Sequence, residues 1–187
     1  MEADWEFDIG PNTSVIDAHW EGLVDLVAHP EGAAHLPEAA NFQQMAQTLV
    51  RLNGPQSSVR TSKCDVWQPA PDEFDSDELD APSDTAQTAW ACYIDLTACD
   101  LQLWKTPDQI RRDCTNLTIS LRLVPLRCCR ADLIIRRALL ADEEEALGIT
   151  AYLTACSSSQ QAAKDILGLA LHTFADSVST IQTNRAF

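Results

Sequence analysis

Apolar and polar residues alternate with a period of two in some stretches of the chain and recur near a period of 3.6 in others, and the two patterns follow one another in a regular order. The first helical stretch is 37 to 53, where Phe42, Met45, Ala46, Leu49 and Leu52 fall on one face and Asn53-Gly54-Pro55 is a stop signal. Val59 to Trp67 reads as a strand, with Cys64 and Val66 on one side and Lys63, Asp65 and Trp67 on the other. A second strand places Trp90, Cys92, Ile94 and Leu96 opposite Ala91, Tyr93 and Asp95. Thr106-Pro107-Asp108 then opens a helix with the stripe Ile110, Cys114, Leu117, Leu121 and Val124, which Pro125 ends. Arg130 to Leu139 and Leu147 to Cys156 alternate again as a hairpin joined by an acidic connection at 141 to 145. Ser158 or Ser159 caps a last helix whose buried stripe is Ala163, Ile166, Leu167, Ala170, Phe174, Val178 and Ile181.

After the first helix the order strand, strand, helix occurs twice, and one tetrapeptide marks both copies: Leu96-Thr97-Ala98-Cys99 and Leu153-Thr154-Ala155-Cys156. Superposing them sets Asp65-Val66-Trp67 against Asp132-Leu133-Ile134. The expected fold is therefore α+β: an antiparallel sheet of at least four strands built from two ββα units, 59–124 and 127–181, with the helices on one face. One domain, 37–187, is expected to carry a packed N-terminal extension, 1–36. In that extension Trp5, Phe7 and Ile9 alternate with Asp4, Glu6 and Asp8 up to Gly10-Pro11, and the apolar run from Val15 to Val27 lacks a clean period.

Residues 68–87 hold seven carboxylates and no basic residue, which predicts a flexible acidic loop anchored, if anywhere, by Phe74 or Leu79. The whole chain carries a net charge of −15, yet residues 105 to 137 are locally at +5. A field of that sign repels nucleic-acid phosphates and anionic membranes and attracts a basic partner, and it also keeps a protein soluble. The start MEADWEFD has no basic or apolar leader pattern, and no run approaches 18 apolar residues, so a cytoplasmic protein with seven reduced cysteines is expected.

Catalytic and metal motifs are absent from the pattern. There is no Cys-x-x-Cys, the four histidines are scattered, and Cys64, Cys92 and Cys114 fall on core-facing positions. Asp75, Asp77 and Asp80 lack the turn glycine and terminal Glu of an EF-hand loop. Cys99 and Cys156 each precede a helix, but no histidine is near either in sequence. We therefore expect no catalytic residue, no metal and no cofactor, and an enzyme would need His19 or His35 to meet Asp95 or Cys156 in a cleft.

What remains is the polar side of the sheet, which collects Lys63, Asp65, Trp67, Tyr93, Asp95, Arg130, Asp132, Arg136, Tyr152 and Thr154. Trp, Tyr and Arg on a flat face make interface anchors, although an ordinary solvated sheet face carries the same pattern. In element order and acidity, residues 37 to 181 resemble class I type III secretion chaperones and YbjN-like proteins, a likeness without any signature residue. That resemblance implies a homodimer that holds a partner polypeptide. The expectation is an acidic protein-binding module, chaperone-like or immunity-like, that meets a basic protein partner through this face and through Asp75, Asp77 and Asp80. The alternatives are a decoy that mimics nucleic acid and a small enzyme or ligand binder.

Overall fold

Residues 1–82, 84–100, 102–140 and 145–183 are described by a computed structural model of the chain. Its elements are β1 (Glu2–Phe7), β2 (Ile16–Asp17), a 3-10 turn (Pro30–His35), α1 (Pro37–Ala40), α2 (Gln43–Leu52), β3 (Val59–Trp67), β4 (Thr88–Ala98), α3 (Pro107–Arg122), β5 (Cys129–Leu139), β6 (Glu145–Ser157) and α4 (Gln160–Thr183). The acidic connection expected between the last two strands falls mostly on 141–144, outside the described residues.

The strands form one sheet of six in the order β1-β5-β6-β4-β3, with β2 also on β5. The sheet is mixed, which corrects the expectation of an antiparallel one: β1 and β2 both run parallel to β5, while β3, β4, β6 and β5 pair antiparallel. Alternation in Trp5 and Phe7 reveals a half-buried strand, but it says nothing about the direction of a partner remote in sequence. Helix α3 holds β1 in place. Its Arg122 Nε donates to the Ala3 carbonyl at 2.7 Å, and the Arg111 guanidinium lies 4.6 Å from the Phe7 ring centroid.

Strand parity sets the core. Cys92, Ile94 and Leu96 of β4 lie opposite Leu153, Ala151 and Ile149 of β6, which in turn face Ala131, Leu133 and Ile135 of β5. All of these are buried in one cluster with Leu49 of α2, Leu117 and Leu121 of α3, and Leu167 and Phe174 of α4. Ile94 and Ala151, each two residues before the leucine of an LTAC tetrapeptide, pair directly with one another. That pairing does not establish a duplication, because register sets Asp65 beside Tyr93 and Asp132 beside Tyr152 without making β3 and β5 equivalent: β3 alone is irregular between Thr61 and Cys64.

The expected helix over 37–53 is two helices, broken at Asn41 and Phe42. Phe42 takes an extended backbone (φ −142°, ψ 81°) and drops its ring into the core, 6.4 Å from Trp90. The Lys164 ammonium of α4 donates to the freed Asn41 carbonyl at 2.5 Å and lies over the Trp90 ring at 4.9 Å. The apolar period survives because both pieces face the same cover. A buried pair between a turn and a helix also holds the core: Trp104 Nε1 donates to Asp113 Oδ2 at 2.9 Å.

Candidate binding trough on the open sheet face

The face turned away from the helices is covered only at its two ends. At one, Ile16 and Ala18 pack on Ala138 and Leu140, a seating that Gly148 makes possible: a Cβ there would stand 2.7 Å from the Leu96 carbonyl and 2.8 Å from Ile16. At the other, the acidic loop returns to the sheet and buries Leu79 and Ala81 against Ala89 and Cys156, with Phe74 beside them. The loop therefore contributes a small cluster of its own. Between these walls a trough crosses the strands.

Its floor follows from register. Asp65, Tyr93, Tyr152, Asp132 and Asp4 lie directly opposite one another across five strands. Trp67 faces Ala91, Thr154 and Arg130 in the row on the loop side, and Asp95 faces Thr150, Ile134 and Glu6 on the other. The Trp67 and Tyr93 rings are 6.4 Å apart and Tyr93 and Tyr152 5.9 Å, both tilted, so an aromatic ribbon occupies the centre. Carboxylates stand at both of its ends. Of the expected surface residues, the fold brings Asp65, Trp67, Tyr93, Asp95, Arg130, Asp132, Arg136, Tyr152 and Thr154 to this face. Lys63 sits in the irregular stretch of β3 and lays its ammonium over Trp20 at 5.4 Å.

Each basic group on the face has an acidic or aromatic neighbour. Arg130 Nε donates to both oxygens of Asp132, at 2.8 and 2.9 Å, and this contact holds the guanidinium above its ordinary range. Arg136 reaches Asp8 at 3.9 Å. Asp95 is buried, and burial raises its carboxyl above the usual carboxylate range; the Thr150 hydroxyl, donating to Oδ1 at 2.6 Å, opposes that rise, as do Arg136 and Lys63. Burial, then Asp95 and Asp65, push the Tyr93 phenol up, so it is a neutral donor at pH 7. Asp4 stands directly opposite Asp132, and each of these like charges has a cation of its own, Arg122 at 3.9 Å from Asp4 and Arg130 at 2.7 Å from Asp132.

An aspartate caps one backbone N–H on each edge strand of the sheet. Asp4 Oδ1 accepts from the Trp5 N–H at 2.8 Å on β1, and Asp65 Oδ1 accepts from the Val66 N–H at 2.7 Å on β3. Each of these bonds occupies one backbone donor on an edge strand. A first cleft of about 420 Å³ lies at the β3 edge, lined by Trp20, Lys63, Asp65 and Tyr93 together with Leu36, Leu49 and Cys64 of the helix side, and two more open along the trough: about 460 Å³ by Asp4, Glu6, Ile134 and Tyr152, and about 440 Å³ between Trp67, Phe74 and the loop. Asp75 lines the third cleft, Asp77 is exposed outside it, and Asp80 is held by Arg127 at 3.2 Å. Asp4, Glu6, Glu73 and Glu78 are trough residues that sequence reasoning missed. Only the alternation around Trp5 and the lone apolar pair Phe74 and Leu79 hinted at them.

The candidate cysteines are not activated as nucleophiles. Cys156 is buried in the loop cluster, and burial pushes its thiol up to about 11; burial likewise pushes Cys64 and Cys129 up to about 12. Cys99 is exposed, yet its thiol is raised as well, by partial burial that Arg60 only partly offsets. These groups are protonated at neutral pH. His19 lines a separate cleft of about 290 Å³ with Asn53, Arg60 and Cys99, a cleft that includes neither Asp95 nor Cys156, and His35 Nδ1 lies 3.2 Å from the Glu31 carbonyl. Among the described residues no three His, Cys, Asp or Glu side chains are placed to hold a metal ion, and no helix is long and apolar enough to cross a membrane. No family model, curated protein or solved structure matches the chain.

Proposed function

We propose that this chain is a non-enzymatic binding module, chaperone-like or immunity-like in that it acts by holding a basic partner polypeptide in the trough. The observation that carries the reading is the register row of Asp65, Tyr93, Tyr152, Asp132 and Asp4, which offers aromatic surface to a partner's aliphatic stems and carboxylates to its cationic heads. A homodimer formed through this face would set two acidic surfaces against each other, in a chain already at −15, so any self-association uses another surface.

The test is the binding of a labelled lysine- and arginine-rich peptide by the intact chain and by its Tyr93→Ala and Tyr152→Ala variants, across a range of salt. The reading expects both variants to stay folded and to bind about tenfold more weakly, with association slowing as salt shortens the Debye length below about 8 Å. Unchanged affinity in both folded variants would remove the trough from consideration.

A further inference from the structure

We propose that the cleft beneath the acidic loop is a recognition pocket for an arginine side chain of that partner; this deepens the reading of the open face and rests on it. Trp67 and Phe74 give the cleft aromatic walls, and Ala91 on its sheet side is small enough to leave depth. Glu73, Asp75 and Glu78 stand around it. The resident cations are already taken: Arg130 is bonded through Nε to both oxygens of Asp132, and Arg127 is paired with Asp80. Among the described residues, Glu73, Asp75 and Glu78 form no salt bridge; Glu73 Oε2 accepts from the Ala70 N–H at 2.8 Å, Asp75 Oδ1 accepts from the Asp77 N–H at 2.9 Å, and Glu78 feels the charge of Arg130, which leaves the cleft with more carboxylates than cations. An aromatic wall beside an excess of carboxylates suits a planar, weakly hydrated guanidinium, which stacks on Trp67 while its edge donates to the rim. A compact ammonium would meet the carboxylates but make less of the wall.

The test is a fluorescence-anisotropy titration of the full chain with a short glycine-serine peptide carrying spaced arginines, beside twins with lysine or neutral citrulline at the same positions. The arginine peptide is expected to bind about threefold tighter than the lysine twin and at least about tenfold tighter than the citrulline twin. The combined variant Glu73→Gln, Asp75→Asn, Glu78→Gln keeps Phe74 and Leu79, and so keeps the loop cluster; it should weaken binding about tenfold. The equal charge change Asp72→Asn, Asp77→Asn, Asp84→Asn outside the cleft should change it less than about twofold. Trp67→Leu should erase the preference for arginine over lysine. Equal weakening by the two charge variants, equal affinity for the arginine and lysine twins, or no binding of the arginine peptide would each overturn the pocket. If Tyr93→Ala and Tyr152→Ala weaken binding while the cleft variant does not, the pocket fails and the trough reading stands.

Discussion

On the helix side of the sheet, Ile94, Leu133, Ala151 and Leu153 have no measurable exposure, whereas their neighbours along the same strands, Tyr93, Asp132, Ile134 and Tyr152, are only half-buried. The strands and hydrogen-bond ladders are shared, so the difference lies entirely in what packs on each side. Three helices close one face, and on the other two short segments of loop close only the margins. One side is built for stability, and the other keeps aromatic rings and carboxylates in place at little cost to the core.

The largest expected difference follows directly. Leu153→Ala removes a fully buried side chain and should cost about 2–5 kcal/mol, read as a shift in denaturant midpoint, while Tyr152→Ala, one residue earlier, should cost about 1 kcal/mol. Equal losses would mean that the two faces are equally part of the core. Next comes the margin: Gly148→Ala drives a methyl group against the Leu96 carbonyl and Ile16, and should cost about 1–3 kcal/mol. Its effect on hydrogen exchange should concentrate at β2 and leave the loop end of the trough unchanged.

A smaller effect sharpens the account of the face itself. Asp95 has a folded-state pKa raised above its ordinary value of 3.8, so the folded chain holds its proton more tightly than the unfolded chain does. Its contribution is therefore most favourable below that value and declines as pH rises through the raised pKa. Asp95→Asn, which retains an acceptor for the Thr150 hydroxyl, should melt slightly above the parent at pH 7, and the gap should close as pH falls below about 3.8. A gap of the opposite sign would mean that Arg136 and Lys63 outweigh burial.

Which residues share the open face was legible in the sequence wherever a strand alternates, because parity alone sends Trp67, Tyr93 and Tyr152 one way and Val66, Cys92 and Leu153 the other. Parity does not say which strand lies beside which. Asp4 and Glu6 joined the trough only once β1 was seen to run alongside β5, a pairing decided by how α3 grips the N-terminal strand. The loop was legible only in part. Its composition is that of a solvated segment, yet Leu79 and Ala81 find cover on Ala89 and Cys156 with Phe74 beside them, and that small cluster brings Glu73, Asp75 and Glu78 to the edge of the trough. The break at Asn41 left no trace in the helical period, since the two short helices keep their apolar sides on the same core.

The chain contains only two tyrosines, Tyr93 and Tyr152, and both lie in the aromatic ribbon of the trough. Fluorotyrosine incorporated at both positions therefore makes fluorine NMR a direct reporter on the open face, with fluorotryptophan at the buried Trp104 as an internal reference for the core. On titration with an arginine-rich peptide, both tyrosine resonances should move together and saturate at one affinity while the Trp104 resonance stays in place. Tyrosine resonances that remain fixed while the peptide demonstrably binds would show that the partner is held elsewhere, and would contradict the assignment of the trough as the binding surface.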